Sequence, residues 1–307
     1  MNNPTVYIIL VNYGTPDDTV ECMESILQNS YHKFKVIIVD VENLNKSVEK
    51  ISLWIDAHKD NRFKLIKEHE NKGFAHANNT GIKFSLSQKD CSFLWILNND
   101  TVIDKESLAR QVNFYNRVSQ KEKPGFIGTK TMDYSKTDII QNVGGVFNKW
   151  TKFPQWIGSG EKDTGQYDNA ELPVDHIQGS SMFLHHTLIE AIGFMPEDYF
   201  LYFEDTDWCI KAQRAGYINK VCATGIIYHK QGASTGVKYM DDEKVLQNKY
   251  YFYKNLLKFY RLYFKRWLPA AYFFLFKKWT GRIIKGEWQE AKIIWKVIWR
   301  RQSSLGY

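Results

Sequence analysis

Short apolar runs in this chain alternate with segments in which apolar residues recur every three or four positions. Residues 6–11 and 36–39 read as strands, closed by Asn12-Tyr13-Gly14 and by Asp40. Thr15-Pro16-Asp17-Asp18 has the chemistry of a helix start: a capping Thr, Pro at the first helical position and acids in the first turn. Val20, Met23, Ile26 and Leu27 follow at helical spacing. Val48, Ile51 and Ile55 predict a second helix, residues 64–66 a short strand, and residues 73–84 a Gly/Asn-rich entry into another helix. Residues 93–97 (Phe-Leu-Trp-Ile-Leu) stop abruptly at Asn98-Asn99-Asp100-Thr101. Five residues carry no usable period, but the Trp/Ile/Phe content and the polar stop favour a strand buried on both faces. A helix with Leu108, Val112 and Tyr115 comes next. This alternation predicts an α/β fold with a mostly parallel sheet and right-handed crossovers. In such a sheet ligands bind beyond the carboxyl ends of the strands, where Asn98, Asn99 and Asp100 stand.

Between residues 131 and 175 the period fades into glycines and polar residues around Trp150, Phe153 and Trp156, which predicts a long, partly ordered excursion. Order returns at residues 177–184, followed by a helix that stops at Gly193. Residues 199–217 bring an aromatic run against three acids, Glu204, Asp205 and Asp207, at the start of a helix that stops at Gly216. The helix dipole favours acids there, with Asp205 as the cap, yet capping accounts for one acid better than for three. A desolvated carboxylate among other acids has the raised pKa of a useful base. His229 ends a further strand, residues 225–228, so it and Asp100 can reach one rim and share a divalent metal. Gly232, Ser234 and Gly236 after it have the composition of a closing lid.

Composition narrows the picture. In 307 residues the four cysteines are scattered without a CxxC pair, which argues against a zinc site or a disulfide framework and fits a reducing compartment. The start lacks a basic stretch and a long apolar run, so it reads as a strand rather than a signal peptide. The net charge of +7 is uneven: from Met240 onward there are fifteen Lys/Arg against five Asp/Glu. The basic character thus belongs to the tail, and a nucleic-acid partner is not expected. In the tail aromatic and basic residues interleave closely. Tyr250, Tyr253, Leu257 and Tyr260 share one helical face, and residues 293–298 suggest a further amphipathic helix. The longest uncharged run, residues 267–276, is too short to cross a bilayer, which takes about 20 residues. Aromatic residues beside Lys/Arg suit a helix lying in the headgroup layer of an anionic leaflet. The alternative is a helical element that packs on the core or forms a homodimer.

Several ordered pieces resemble glycosyltransferase family 2, in its rhamnosyltransferase-like branch. They are VYIILVNYG, VIIVD, ENKGFAHANNTGI, LNNDT, the segment from GSSMFLHH to the helix of Glu204-Asp205, and YHKQGAST. The resemblance implies a GT-A fold and an inverting, metal-dependent transfer of a sugar from a nucleotide diphosphate. It implies a donor site at Asn12, Tyr13, Asp40, Asn71, Gly73, Asn78, Asn98 and Asn99, with Asp40 accepting the pyrimidine N3–H. It implies a Mg or Mn ion on Asp100 and His229, and Asp205 as general base with Glu204 positioning hydroxyls. Gly179, Trp156 and Asp207 are expected near the sugar or acceptor. The chain departs from the pattern in having Asn98-Asn99-Asp100 where DxD is frequent, and Val41-Glu42-Asn43-Leu44-Asn45 after Asp40. The asparagine form points first to dTDP-rhamnose, with a UDP-hexose or UDP-galactofuranose as rival donors. A catalytic unit over residues 1–239 and an extension over 240–307 are expected. The protein is expected on the cytoplasmic face of the plasma membrane, acting on a lipid-linked glycan in bacterial surface-polysaccharide synthesis. A nucleotidyltransferase ranks lower, since no basic Gly-rich loop follows the first strand. A non-catalytic membrane-binding protein would leave Glu204, Asp205, Asp207 and His229 without a role.

Overall fold

The structure is a computed structural model that describes residues 3–41, 46–169, 174–230 and 242–299. Strands β1 (Thr5–Asn12), β2 (Phe34–Val41), β3 (Phe63–Glu68) and β4 (Cys91–Asn98) pair in parallel, in the order β3-β2-β1-β4. Helices α1 (Pro16–Leu27), α2 (Ser47–His58) and α3 (Phe74–Leu86) are the crossovers. The chain then adds β5 (Thr101–Ile103), α4 (Ser107–Ser119), β6 (Pro124–Asp133), β7 (Ile140–Asn142), β8 (Gly145–Phe147), β9 (Pro154–Trp156), β10 (Ser181–His185), α5 (Thr187–Ile192), α6 (Glu204–Arg214) and β11 (Ile218–His229). The sheet continues β4-β10-β6-β11-β5, with β7 on β6. β10 runs antiparallel to β4 and β6, whereas β11 and β6 are parallel. Strand order reverses between β1 and β4, which opens a crevice at the carboxyl ends of those strands.

The period-two alternation of β1 sends Tyr7 and Ile9 to one core and Val6, Ile8 and Leu10 to the other. β4 is buried on both faces as expected, and the Trp95 indole donates to Ser181 Oγ at 2.9 Å. Pro16 opens α1, but the Thr15 hydroxyl does not cap it; Thr15 Oγ1 instead accepts the Asn99 amide at 2.8 Å. The excursion is more ordered than the fading period suggests. β6 runs through its start, although Thr129, Lys130 and Thr131 are polar and buried. The Lys130 ammonium, 1% exposed, lies 2.7 Å from Asp163 and 2.6 Å from Asp168, pinning the excursion to the sheet.

Helices α7 (Asp242–Tyr263), α8 (Leu268–Ile284) and α9 (Trp288–Trp299) follow. None of the described helices is long and apolar enough to cross a membrane. The aromatic face of α7 lies inside the protein. Tyr253, Leu257 and Tyr260 share a core with Tyr199, Phe203 and Ile210 of the preceding unit. The expectation that this face lies on lipid is therefore corrected for α7: its rings are buried between elements of the same chain.

Candidate active site

The carboxyl ends of β1, β2 and β4 meet in a buried polar cluster. Register places Asn12 opposite Asp40 and Val11 opposite Asn98. Asn12 Nδ2 donates to Asp40 Oδ2 at 2.5 Å, and Asn12 Oδ1 accepts from Thr19 Oγ1 at 2.8 Å and Asn99 Nδ2 at 3.2 Å. Asn99 Nδ2 also lies 2.9 Å from Thr19 Oγ1. The amides of Asn12 and Asn99 are thus engaged within the protein. Both are buried, and their hydrogen bonds tie Asp40 to the start of α1.

Asp100 and His229 come together as their strand-end positions suggest. β5 pairs antiparallel with β11, with Thr101 opposite His229, and the Lys230 amide donates to the Asp100 carbonyl at 3.0 Å. Gln141, on β7, grips the histidine twice. Its Nε2 donates to the His229 carbonyl at 2.7 Å, so its Oε1 is the atom that faces His229 Nδ1, at 3.1 Å. The proton then sits on Nδ1 and Nε2 presents a lone pair, toward which Asn98 Nδ2 points from 3.4 Å. Nε2 and Asp100 Oδ1 are 3.2 Å apart. Two electron-pair donors facing each other call for a cation between them, a proton on Nε2 or a metal ion. An octahedral Mg or Mn ion with bonds of about 2.0–2.2 Å separates neighbouring ligand atoms by roughly 3 Å, so the pair fits. No group of three or more His, Cys, Asp or Glu side chains suits a metal among the described residues, so an ion on this pair would need further ligands from elsewhere. Burial pushes the Asp100 carboxyl up, but with Nε2 also protonated the hydrogen bond from His229, the imidazolium charge and the nearby Lys230 outweigh this and leave it below the usual carboxylate range.

Asp205 stands in the first turn of α6. The cap is not Asp205 but Phe203, in a left-handed conformation (φ 74°), and the helix begins at Glu204. Phe200 (φ 65°) and Tyr202 (φ 68°) are left-handed too. Each such non-glycine residue costs about 1–2 kcal/mol, a strain that persists where neighbours hold the backbone. Asp205 Oδ2 accepts the Gly179 amide at 2.8 Å, and Oδ1 accepts the Thr206 amide at 2.6 Å and its hydroxyl at 3.1 Å. Burial raises the Asp205 carboxyl above its usual range, against these donors, which pull it down. Burial, then the neighbouring charge of Asp205, pushes Glu204 well above its own range. Glu204 Oε2 has no hydrogen-bond partner among the described residues. Burial and Asp205 thus both favour the neutral form of Glu204.

Hydrogen bonds join the two acid centres. Gly179, bonded to Asp205, is followed by Ser180, whose carbonyl accepts the Asn98 amide at 3.0 Å, and Asn98 reaches His229 beside Asp100. Gly73 (φ 98°) backs onto this arrangement: a Cβ there would lie 2.4 Å from the Phe200 carbonyl oxygen. Asn71 Oδ1 accepts the Gly73 amide at 3.0 Å, and buried Asn78 donates to the Phe74 carbonyl at 2.9 Å, so these two shape the turn into α3. Tyr13 is half-buried, with Lys244 of α7 4.4 Å above its ring. Trp156, 37% exposed on β9, leans on the buried His176 ring at 4.8 Å. Asp207 is committed elsewhere: Oδ2 accepts the Tyr199 hydroxyl at 2.7 Å and Oδ1 lies 3.2 Å from Lys211. Gly232, Ser234 and Gly236 lie outside the described residues, as does the segment 42–45 after Asp40. Gln141 was not legible as a site residue, because a lone Gln in an aperiodic stretch carries no signal.

Residues 7–153 match the family described as Glycosyl transferase family 2. The chain is 25% identical over 227 residues to the low-salt glycan biosynthesis hexosyltransferase Agl10 of Haloferax volcanii. That similarity covers 73% of this chain and 66% of the relative, just under two thirds of the latter. Among solved structures, a mannosyltransferase from Pyrobaculum calidifontis, in complex with GDP-Man and Mn2+, superposes with a TM-score of 0.60 at 16% identity. The superposition covers 96% of this chain and 74% of that one. GalNAc-T7 with UDP, GalNAc and Mn2+ gives 0.58 at 13% identity, covering 81% and 50%.

Proposed function

We propose that this chain, whose residues 7–153 match glycosyltransferase family 2 and whose fold is GT-A, is a member of that family that transfers a sugar from a nucleotide diphosphate to a hydroxyl of a glycan acceptor with inversion. The observation that carries this reading is the continuous contact from Asp205 through Gly179, Ser180 and Asn98 to His229 and Asp100, which sets a raised carboxylate and a cation-ready pair on one rim.

In this reading Asp205 takes the acceptor proton as that oxygen attacks the anomeric carbon from the face opposite the diphosphate. The Gly179 and Thr206 amides aim the carboxylate and keep it ionised often enough to work. Neutral Glu204 donates to a sugar or acceptor oxygen without competing for the proton. Asp40, held by Asn12, accepts from the base. Asp100 and His229 would hold Mg or Mn, which supplies charge compensation for the departing diphosphate. The asparagine form of Asn98-Asn99-Asp100 favours dTDP-rhamnose as donor. The named activity of the Haloferax relative favours a hexose as the second choice.

The test is a thermal-shift panel followed by product analysis. dTDP or UDP with Mn2+ is expected to raise the melting temperature by several degrees, since a ligand at 100 times its Kd stabilises by about 2.7 kcal/mol. Neither nucleotide alone should do so. Absence of any metal-dependent shift across dTDP, UDP and GDP would overturn the reading.

The same proposal places the enzyme on a membrane carrying a lipid-linked acceptor, in bacterial surface-polysaccharide synthesis. The support lies in α8 and α9 rather than α7. Trp288, Lys292, Trp295 and Trp299 form an exposed stripe of α9, and tilted ring contacts run from Trp295 to Trp279 of α8 and on from Trp279 to Phe276. Lys277, Lys285 and Lys296 are exposed on the same two helices. Vesicles with anionic lipid should bind the protein, less so as salt rises, and Trp295→Ser with Trp299→Ser should weaken binding about tenfold. A protein that ignores such vesicles but dimerises through this face would place a subunit interface there.

A further inference from the structure

The acids of the proposed site are preceded by a backbone that needs an outside hold. Residues 199–203 carry three left-handed non-glycine residues, Phe200, Tyr202 and Phe203, and end at the cap that starts α6. The hold comes from α7, beyond the expected domain boundary. Asn255 is fully buried, and its Nδ2 lies 2.7 Å from the Tyr199 carbonyl, 2.8 Å from that of Leu201 and 3.2 Å from that of Tyr202. Only the nitrogen of an amide can face three acceptors, so the side chain has one orientation here. Tyr251 and Lys258 stand on the same stripe of the helix, four residues before and three after. The Tyr251 ring stacks on Phe200 at 4.5 Å and 21°. Lys258 Nζ donates to the Asp198 carbonyl at 3.0 Å, pairs with the Asp198 carboxylate, and sits 3.9 Å from the Tyr199 ring centre. On its other side the loop touches the donor half, where the Phe200 carbonyl accepts the Phe74 amide at 2.8 Å against Gly73.

We propose that Asn255 is a positioning residue for the transfer: by gathering three carbonyls of the loop, it fixes the cap of α6 and hence the aim of Asp205. The extension is then a working part of the catalytic unit. This inference rests on the reading of Asp205 as the base. It needs no contact between α7 and any substrate.

The experiment compares Asn255→Ala, Tyr251→Ala and Asp205→Asn in the full chain. Misplacing a catalytic group by about 1 Å costs on the order of 10²-fold. Asn255→Ala should therefore lower kcat by about 10–100-fold, with the donor KM and the metal-dependent nucleotide shift retained. Its kcat should reach half-maximum at a lower pH, because a loosened loop admits water to Asp205 and relieves the burial that raises it. A merely structural loss would not move that limb. A folded Asn255→Ala with unchanged kcat and an unmoved limb, or with a loss confined to the donor KM, overturns the proposal. Should Asn255→Ala fail to fold, half-exposed Tyr251 decides: Tyr251→Ala is expected to lose kcat several-fold with the same split, and no loss overturns the proposal. If Asp205→Asn loses turnover while the α7 variants keep it, only the positioning claim fails. If Asp205→Asn keeps turnover, the base reading fails and this inference with it.

Discussion

Asp205→Asn is expected to lower kcat by about 10²–10⁴-fold, the range a placed general base contributes, while leaving the affinity for nucleoside diphosphate unchanged. The substitution keeps the shape and one of the two acceptor oxygens: the amide oxygen can accept from Thr206, and the NH2 group then faces the Gly179 amide, whose hydrogen bond is lost. It also removes basicity. The pH dependence follows in sign. A carboxyl raised by burial works only when ionised, so wild-type kcat rises with pH through a midpoint above the ordinary carboxylate range. The variant's residual rate loses that limb. Asp100 does not contribute it, because its carboxyl is held below the ordinary range. Stability moves the other way. A folded-state pKa above the unfolded value means that ionising Asp205 costs stability at neutral pH; removing that cost offsets the hydrogen bond lost at Gly179, so the variant should melt close to the wild-type temperature. Near-normal turnover in a well-folded variant would rule out the assignment.

How far this site was legible depended on whether chemistry was written locally. Strands whose apolar runs end on a carboxylate or amide, such as residues 36–39 before Asp40 and 93–97 before Asp100, declare both the sheet and its rim. Burial on both faces selects such runs, and the parallel order puts their ends together. Glu204 and Asp205 are legible because three acids exceed what a helix start requires. The supporting residues are not. β6 carries buried Thr129, Lys130 and Thr131, which read as surface until Asp163 and Asp168, more than thirty positions on, are brought to Lys130 by the fold. Gln141 acquires its role only by reaching His229, 88 positions away. Thr15 reads as a cap, yet a buried amide, Asn99, competes for its hydroxyl.

The tail shows the limit most plainly. Aromatic residues interleaved with Lys and Arg satisfy the pattern of an interfacial helix and of a helix packed on its own protein alike, because both bury rings and leave cations in water. Only the partner decides, and for α7 the partner is the loop of Tyr199 and Phe203. For α8 and α9 the exposed Phe273, Trp288 and Trp299 keep the interfacial reading physically sound.

Asp100→Asn is expected to abolish the Mn2+-dependent part of nucleotide binding and to lower kcat/KM by about 10²-fold or more, since charge compensation at the leaving group supplies several kcal/mol and ~3 kcal/mol corresponds to about two decades. The backbone around the site should survive, because the Asp100 main-chain carbonyl, not its side chain, accepts from Lys230, and the pairing of Thr101 with His229 is likewise main-chain. The loss should therefore appear in metal dependence rather than in folding. In the wild type the thermal shift with nucleoside diphosphate should require Mn2+; in the variant it should be small and the same with or without the ion. His229→Gln tests the other half of the pair. Gln141 fixes the imidazole with its lone pair toward Asp100, so replacing the ring should raise the Mn2+ concentration needed for half-maximal rate without moving the acid limb set by Asp205. A single variant that keeps the full Mn2+ response would show that the 3.2 Å pair of Asp100 and His229 is a hydrogen bond between neighbours and not a seat for the ion.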